Sequence, residues 1–267
     1  MNIKDFKFKK HFGQNFIKDE RILNKIINLS DIKEKSLVIE IGCGSGELTK
    51  KLINNFDYVL GYEIDKELTD YLKKIEVNNL KIIYDDFLKR NIKEDIKDIE
   101  YENLYIIANL PYYITTPIIE KIILEDLNIY EIIIMVQKEV GERISAKPNS
   151  REYSSLSVFI NYSYNVKKLL KVSRHSFVPK PNVDSVVLKL SKKESKNKPL
   201  DEDYFYKLIR ESFKFKRKTL KNNLLKYNFD IIEEYLLKND KSKNVRAEQL
   251  TIENFIDISN ILYLNEN

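Results

Sequence analysis

The stretch Leu37-Val38-Ile39-Glu40-Ile41-Gly42-Cys43-Gly44-Ser45-Gly46 decides the fold. Residues 37–41 are apolar apart from one acid, as suits a strand buried on both faces. Three glycines at alternate positions follow, and a helical pattern runs from about 46 to 55. Glycines in such a β–α turn let the backbone bend sharply and let a ligand come close. The spacing is G-x-G-x-G, not the G-x-G-x-x-G of dinucleotide-binding loops. That form is usual for S-adenosylmethionine (SAM) sites; the bland alternative is an ordinary tight turn.

Working outward, strand-like segments recur at 58–64, 80–84, 104–109 and 131–137, each short, apolar and rich in β-branched residues. Helical patterns separate them, including one from 66 to about 75. Upstream, Asp19 can cap a helix that carries Ile22, Leu23, Ile26 and Ile27 on one face. Downstream, strands at 166–172 and 183–190 flank the loop Val178-Pro179-Lys180-Pro181. This is the order of an open, doubly wound α/β domain. The polar run 191–200 reads as a linker, and helices follow at 201–213, 216–227, 230–239 and 251–264. The expected domains are therefore 1–190, α/β, and 191–267, all-helical.

Composition closes off several function classes. With 267 residues, 33% charged and 43% hydrophobic, the chain can bury a core. One cysteine, Cys43, and two histidines, His11 and His175, leave no disulfide within the chain and no Cys/His zinc cage, so no metal is expected. The longest wholly apolar run is about five residues, at 132–136, so no bilayer-spanning segment is expected. The start, MNIKDFKFKKHFGQ, has no apolar core of a signal peptide, and the expected compartment is the cytoplasm. The net charge is +5, yet residues 207–226 alone hold eight Lys/Arg against one acid. Lys4, Lys7, Lys9 and Lys10 against Asp5 form a second cluster. Such patches suit a phosphate-bearing partner; a solvated lysine face is the alternative.

The strand tips carry the chemistry. Glu63, near the end of the second strand, can accept both ribose hydroxyls of an adenosine. The third strand ends in Asp85-Asp86, and one of these acids can hold an adenine amine; as simple helix caps they need no ligand. The fourth runs into Asn109-Leu110-Pro111-Tyr112. An exocyclic adenine amine is a poor nucleophile, because its lone pair is delocalised into the ring. The Asn109 oxygen and a neighbouring main-chain carbonyl can accept its N–H groups at fixed geometry. Pro111 stiffens the turn and lacks an amide proton. The Tyr112 ring offers a face to a base taken out of its stack.

These residues sit within longer blocks: HFGQNF (11–16), IGCGSG (41–46), NLPYYITTPI (109–118), QKEVGERISAKP (137–148), FVPKPNVDS (177–185) and FKRKTLKNNL (215–224). Together with Arg246, Glu248 and Leu250 they span nearly the whole chain. In them the sequence resembles the small-subunit ribosomal RNA adenine N6,N6-dimethyltransferases (KsgA type), within the rRNA adenine dimethyltransferase family. The resemblance implies a seven-stranded, Rossmann-like class I SAM-dependent methyltransferase sheet, mostly parallel with one antiparallel strand, and a small helical domain that binds rRNA. It implies that Asn15 and the backbone at Ile17 contact SAM and that Gly42 lies under its methionine part. Glu63 would take the ribose, Asp86 the adenine, and Asn109 would bridge cofactor and target. Tyr112 and Phe177 would sandwich the target adenine; the proline-fixed loop after Phe177 favours display of its ring over burial. The implied reaction places two methyls on N6 of each of two adjacent adenosines in the 3′-terminal hairpin loop of small-subunit rRNA, within an assembling 30S subunit. The plain expectation for oligomeric state is a monomer.

Two positions depart from the family pattern: Cys43 stands where proline is usual, and Ile17 where leucine is. A catalytic role for Cys43 is rejected, since a small apolar filler suffices in the turn, and nothing supports His175 as a base. Alternatives are a resistance-type enzyme acting on large-subunit rRNA, an assembly factor that acts by binding, and a nicotinamide-dependent dehydrogenase, which the loop spacing disfavours. Tyr113, Thr115 and Thr116 favour the small-subunit branch. In the basic segment, Phe213, Leu220, Leu224 and Tyr227 should form one inward helical stripe. Lys214, Lys218 and Lys221, with Arg217 at the edge, should form a phosphate-gripping stripe beside it.

Overall fold

The computed structural model describes residues 8–9, 13–75, 77–125, 127–193 and 197–266. Lys4, Asp5, Lys7, Lys10, His11 and Phe12, named above, lie outside the described residues, as do 194–196 of the expected linker. The chain divides into two compact units. The first comprises the described residues of 1–141 and 166–192, the second those of 142–165 and 193–267. The segment 142–165, which the sequence places in the α/β domain, thus groups with the helical unit.

The first unit is built on a seven-stranded sheet. Its strands are β2 (Ser36–Ile41), β3 (Tyr58–Tyr62), β4 (Leu80–Ile83), β5 (Asn103–Asn109), β6 (Ile129–Gln137), β7 (Tyr164–Val172) and β9 (Ser185–Lys192). They lie in the order β4-β3-β2-β5-β6-β9-β7. Every pairing from β4 to β6 is parallel, and β9 returns antiparallel to β6. This is the expected sheet. Its central strands are apolar because both faces are covered, and all six residues of β2 are buried. The parallel pairing has one consequence for chemistry. The carboxyl ends of β2, β3, β4 and β5 emerge along the same edge, so loops far apart in sequence meet there.

Helix α1 (Glu20–Asn28) covers one face, with Leu23, Ile26 and Ile27 packed in the same core cluster as Val38, Tyr105, Ile107 and Ile133. Helices α2 (Glu47–Leu52), α3 (Thr69–Leu72), α4 (Ile92–Ile96), α5 (Thr115–Leu124) and α6 (Lys138–Ile144) follow in the chain. Asp19 caps it, accepting from the Arg21 N–H, as its position predicts. Two short strands escaped the sequence reading. β1 (Phe16–Ile17) pairs antiparallel with β8 (Phe177–Val178), with Ile17 opposite Phe177. Two-residue strands carry too little periodicity to be read.

The second unit is all-helical among its described residues, the first two residues of β7 apart. It contains α7 (Ser155–Ser163), α8 (Glu202–Ser212), α9 (Leu220–Asn223), α10 (Phe229–Lys238) and α11 (Ile252–Glu266). Its core is aromatic: Tyr162 meets Phe205 at 5.0 Å between centroids, and Phe159 meets Tyr206 edge-on at 5.1 Å. One expectation fails here. The chain is not helical throughout 216–227; only the single turn of α9 forms. Thr219 caps that turn, and the Asn223 side chain bonds both the N–H (2.9 Å) and the C=O (3.2 Å) of Phe215, fixing a loop instead. The two expected stripes therefore do not exist as helical faces. Leu220 and Leu224 are buried, as the inward stripe requires, but Phe213 and Tyr227 are only half-buried.

Candidate active site

A cleft opens at the carboxyl edge of the sheet. Each wall comes from a different strand tip. From β2 come Gly42 and Gly44, both at positive φ (79° and 57°). A Cβ on Gly44 would stand 2.9 Å from the Phe16 ring, so the close approach itself requires glycine. From β3 comes Glu63, buried at the tip. Its two oxygens accept from the Gly44 N–H (2.7 Å) and the Asp65 N–H (2.8 Å). Burial pushes the Glu63 carboxyl above its ordinary range, and these backbone bonds hold it partly back. From β4 come Asp85 and Asp86. Asp86 caps the short 3₁₀ turn Phe87–Lys89, accepting from the Leu88 N–H at 3.0 Å, and Asp85 faces Arg90 at 3.5 Å.

From β5 comes Asn109, and its environment is unusual. The side-chain amide donates to the Asn15 carbonyl at 2.9 Å. That bond fixes which way the amide points, and its Oδ1 is buried with no hydrogen-bond partner among the described residues. An orphaned buried acceptor costs about 1–3 kcal/mol. Beside it, the Leu110 N–H donates to Met135 O at 3.1 Å. Pro111 O accepts from the Thr115 hydroxyl at 2.9 Å and from the Ile114 N–H. No hydrogen bond to the Leu110 carbonyl occurs among the described residues. Two acceptors, one side-chain and one main-chain, are thus left over at the turn. Tyr112 lines the same cleft and its hydroxyl meets Ser185 Oγ at 2.6 Å.

The amino-terminal segment closes another side. Gly13, Gln14, Asn15 and Phe16 all line the cleft. The segment is pinned at Asp65: Lys9 Nζ and Gln14 Nε2 each reach a carboxylate oxygen at 2.7 Å. Burial raises the Asp65 carboxyl, but the bonds from Lys9, the Glu67 N–H and Gln14 outweigh it and hold the group below its ordinary range.

Of the residues singled out from sequence, Asn15, Gly42, Glu63, Asp86, Asn109, Leu110, Pro111 and Tyr112 come together at this cleft. Ile17 does not line it; with Gly42, Gly44 and Asn109 it borders a smaller adjoining hollow. Phe177 does not line it either. Its ring is 3% exposed and shares the core cluster of Ile17 and Leu23, because pairing of β8 with β1 turns it inward. The expected display of that ring is not what the fold presents. Lys214, Arg217, Lys218 and Lys221 are all exposed on the second unit. Cys43 is buried against Gly61, and burial pushes its thiol well up, which suits a filler and not a nucleophile. Among the described residues no group of three or more His, Cys, Asp or Glu is placed to hold a metal ion.

The sequence alone assigns no role in the site to Gln14, Phe16, Tyr113 or Glu40. Gln14 and Phe16 lay in a quoted motif, but only tertiary contact with Asp65 and Gly44 shows their use. Tyr113 packs beside Gly13, where a Cβ would meet its ring at 2.9 Å. Glu40 is wholly buried below the glycine turn, accepting from the Thr49 hydroxyl at 2.6 Å, and burial pushes its carboxyl up to about 8.

Comparison with known proteins shows the family and the fold. The profile of the ribosomal RNA adenine dimethylase family matches residues 5–264. Among similar proteins, a ribosomal RNA small subunit methyltransferase A of Onion yellows phytoplasma is 44% identical over 252 residues, 92% of this chain and 93% of its own. One of Clostridium botulinum is 40% identical over 268 residues, covering 98% and 97%. Among solved structures, a dimethyladenosine transferase from Plasmodium falciparum superposes with a TM-score of 0.71 at 29% identity, over 94% of this chain and 98% of that one. The 23S rRNA methyltransferase ErmE shares the fold, with a TM-score of 0.68 at 21% identity over 93% and 99%. With the profile running through both units, the chain belongs to the ribosomal RNA adenine dimethylase family.

Proposed function

We propose that this protein is a SAM-dependent rRNA adenine N6,N6-dimethyltransferase that modifies two adjacent adenosines in the 3′-terminal hairpin loop of small-subunit rRNA. The observation that carries the reading is Asn109: an amide anchored on one side and a buried oxygen left free on the other. A free, rigid acceptor is what an exocyclic amine needs to be steered and made more nucleophilic. The Leu110 carbonyl, which has no partner among the described residues, supplies the second acceptor for the second N–H. Tyr112 provides a flat wall for the base, and its hydroxyl bond to Ser185 fixes the ring.

The residues present fit SAM. Glu63 keeps lone pairs beyond its two backbone bonds, enough to accept ribose hydroxyls. Gly42 lets the chain pass close under the methionine part, Asp86 stands ready for the adenine amine, and Asn15 and Ile17 close from the amino-terminal side. When bound, SAM supplies a methyl group on a positively charged sulfur. The chain holds the amine at Asn109, covers one side of the cleft with the segment 13–16, and leaves the displaced amine proton to solvent. Since each base takes two methyls, the pocket must also accept the monomethyl amine, which retains one N–H for one of the two acceptors.

Residues 1–190 are proposed as the methyltransferase domain and 191–267 as the rRNA-binding domain, with Lys214, Arg217, Lys218 and Lys221 gripping phosphates. The protein is proposed to act as a cytoplasmic monomer on assembling 30S subunits. The choice of small over large subunit is supported by the relatives named small subunit methyltransferase A at 40–44% identity. The test is mass mapping of rRNA after incubating the protein with labelled SAM and unmethylated small or large subunits. Dimethylated adjacent adenosines in the small-subunit hairpin are expected; label confined to large-subunit rRNA would overturn the assignment.

A further inference from the structure

The loop between α8 and α9 presents a single ring, Phe215, 48% exposed. Isolated exposed apolar side chains are common and mean little alone. This one differs in three ways. First, it is braced. Asn223 brackets its backbone from both sides, the Lys218 N–H donates to its carbonyl at 3.0 Å, and the Lys214 N–H donates to Glu211 O at 3.2 Å. A ring on a fixed turn loses little freedom when it binds. Second, residues 214–218 contain four cations, Lys214, Lys216, Arg217 and Lys218, and no acid. All are exposed, and none forms an ion pair with another described residue. Third, Lys214 Nζ and Lys218 Nζ lie 5.6 and 4.8 Å from the ring centroid, so its electron-rich face already engages mobile cations that a base could replace.

We infer that Phe215 is a stacking platform for an unpaired nucleobase of the rRNA, with Lys214 and Lys218 moving from its ring to the flanking phosphates. The inference rests on the reading of this basic segment as an RNA contact, and it adds base contact to phosphate contact. Cation–π contacts at exposed sites are weaker than base–aromatic stacking, so the exchange favours the base. The occupant must be unpaired, since a helical base keeps both faces covered by its neighbours. Four uncompensated cations around the ring favour a polyanion over an apolar protein surface. This site is distinct from the base pocket at Tyr112, being on the other unit.

Three variants of the full chain test this: Phe215→Leu, Phe215→Tyr, and the pair Lys214→Gln with Lys218→Gln. Affinity for unmethylated small subunits is measured across a salt series. A single-stranded RNA octamer carrying 2-aminopurine at its centre reports stacking by fluorescence quenching. Phe215→Leu should weaken subunit binding roughly 5- to 100-fold, the worth of one base stack. It should leave the salt slope unchanged and reduce the quenching, while Phe215→Tyr keeps both affinity and quenching. The lysine pair should flatten the slope of log K against log salt by about 0.7–0.9 per lysine. If Phe215→Leu binds as tightly as wild type while the lysine pair flattens the slope, stacking is wrong and the phosphate reading stands. If neither variant changes binding, both readings fall. If Phe215→Leu weakens subunit binding but leaves octamer quenching intact, the ring meets a protein and the inference is overturned.

Discussion

Replacing Glu40 by glutamine should change how the protein's stability depends on pH. Glu40 is 1% exposed, accepts from Thr49 and lies beside Cys43. Burial pushes its carboxyl from 4.5 to about 8, and the charge of Glu63 adds to this. A group that binds its proton more tightly in the folded state favours folding when protonated. Its contribution is fully present below the unfolded value near 4.5 and is lost as pH rises through about 8. The displacement corresponds to at most about 5 kcal/mol across that window. Glutamine keeps the oxygen that Thr49 needs and never ionises. Relative to wild type, Glu40→Gln should therefore gain stability between about pH 5 and 8 and level off above that. The assay is urea unfolding of both proteins without SAM at each pH, read as the difference in midpoint. Titrating groups remote from Glu40 are present in both chains and largely cancel. Two curves that stay parallel from pH 5 to 9 would show that Glu40 ionises normally in the folded protein.

Glu63→Ala should weaken SAM binding by up to two charge-assisted hydrogen bonds, about 1.5–3 kcal/mol each, and hardly change RNA binding; equal SAM affinity by calorimetry contradicts the ribose assignment. Asn109→Ala should cut methyl transfer by about two to three orders of magnitude, the usual effect of losing one preorganised polar partner. Its unfolding free energy should move little, because the lost bond to Asn15 is offset by removal of an orphaned acceptor; a cooperative loss of fold would reduce Asn109 to a structural residue. Tyr112→Phe should stay active while Tyr112→Ala loses about 1–3 kcal/mol of base capture, and equal loss in both would point to the hydroxyl instead of the ring. Phe177→Ala should destabilise by about 3–5 kcal/mol as a core truncation, whereas Phe177→Leu should cost under about 1.5 kcal/mol. Full methyl transfer by the stable leucine variant would confine Phe177 to packing.

Much of the fold was legible because parallel strands buried on both faces leave an unmistakable pattern. β2, β3, β5 and β6 are such runs, and their order in the chain with helices between them fixes a doubly wound sheet. The site was legible for the same reason: its residues sit where those strands stop. What escaped depends on tertiary contact. The expected helix through 216–227 had suitable apolar spacing, but the side chain of Asn223 competes for the backbone of Phe215 and a loop wins. Phe177 was misjudged because the loop prolines suggested display, whereas a two-residue pairing with Phe16 and Ile17 decides where the ring goes. The clasp of Lys9 and Gln14 on Asp65 joins residues more than fifty positions apart and leaves no local signature.

The energetic costs of the molecule have an informative location. Glu40 and Glu63 are both buried acids whose carboxyls burial pushes upward, and both stand at the carboxyl ends of adjacent strands. Asn109, at the end of the next strand, holds a buried acceptor with no partner. Four glycines forced into left-handed backbone, Gly13, Gly42, Gly44 and Gly46, lie in the same turn or the segment that covers it. None of these features helps the sheet to fold; an apolar turn with paired groups would be more stable. The apolar strands behind them, nearly all buried, can carry the loss. Unfavourable groups scattered through a fold are accidents of sequence, but two at neighbouring strand tips facing one cleft, Glu63 and Asn109, with Glu40 buried just behind them, need a ligand to make them favourable. A cofactor with ribose hydroxyls to offer Glu63, and a base with an amine to offer Asn109, would satisfy two of those groups directly. On this argument SAM and RNA should each raise the unfolding temperature, and Asn109→Ala should erase much of the rise due to a bound adenine while sparing part of that due to SAM.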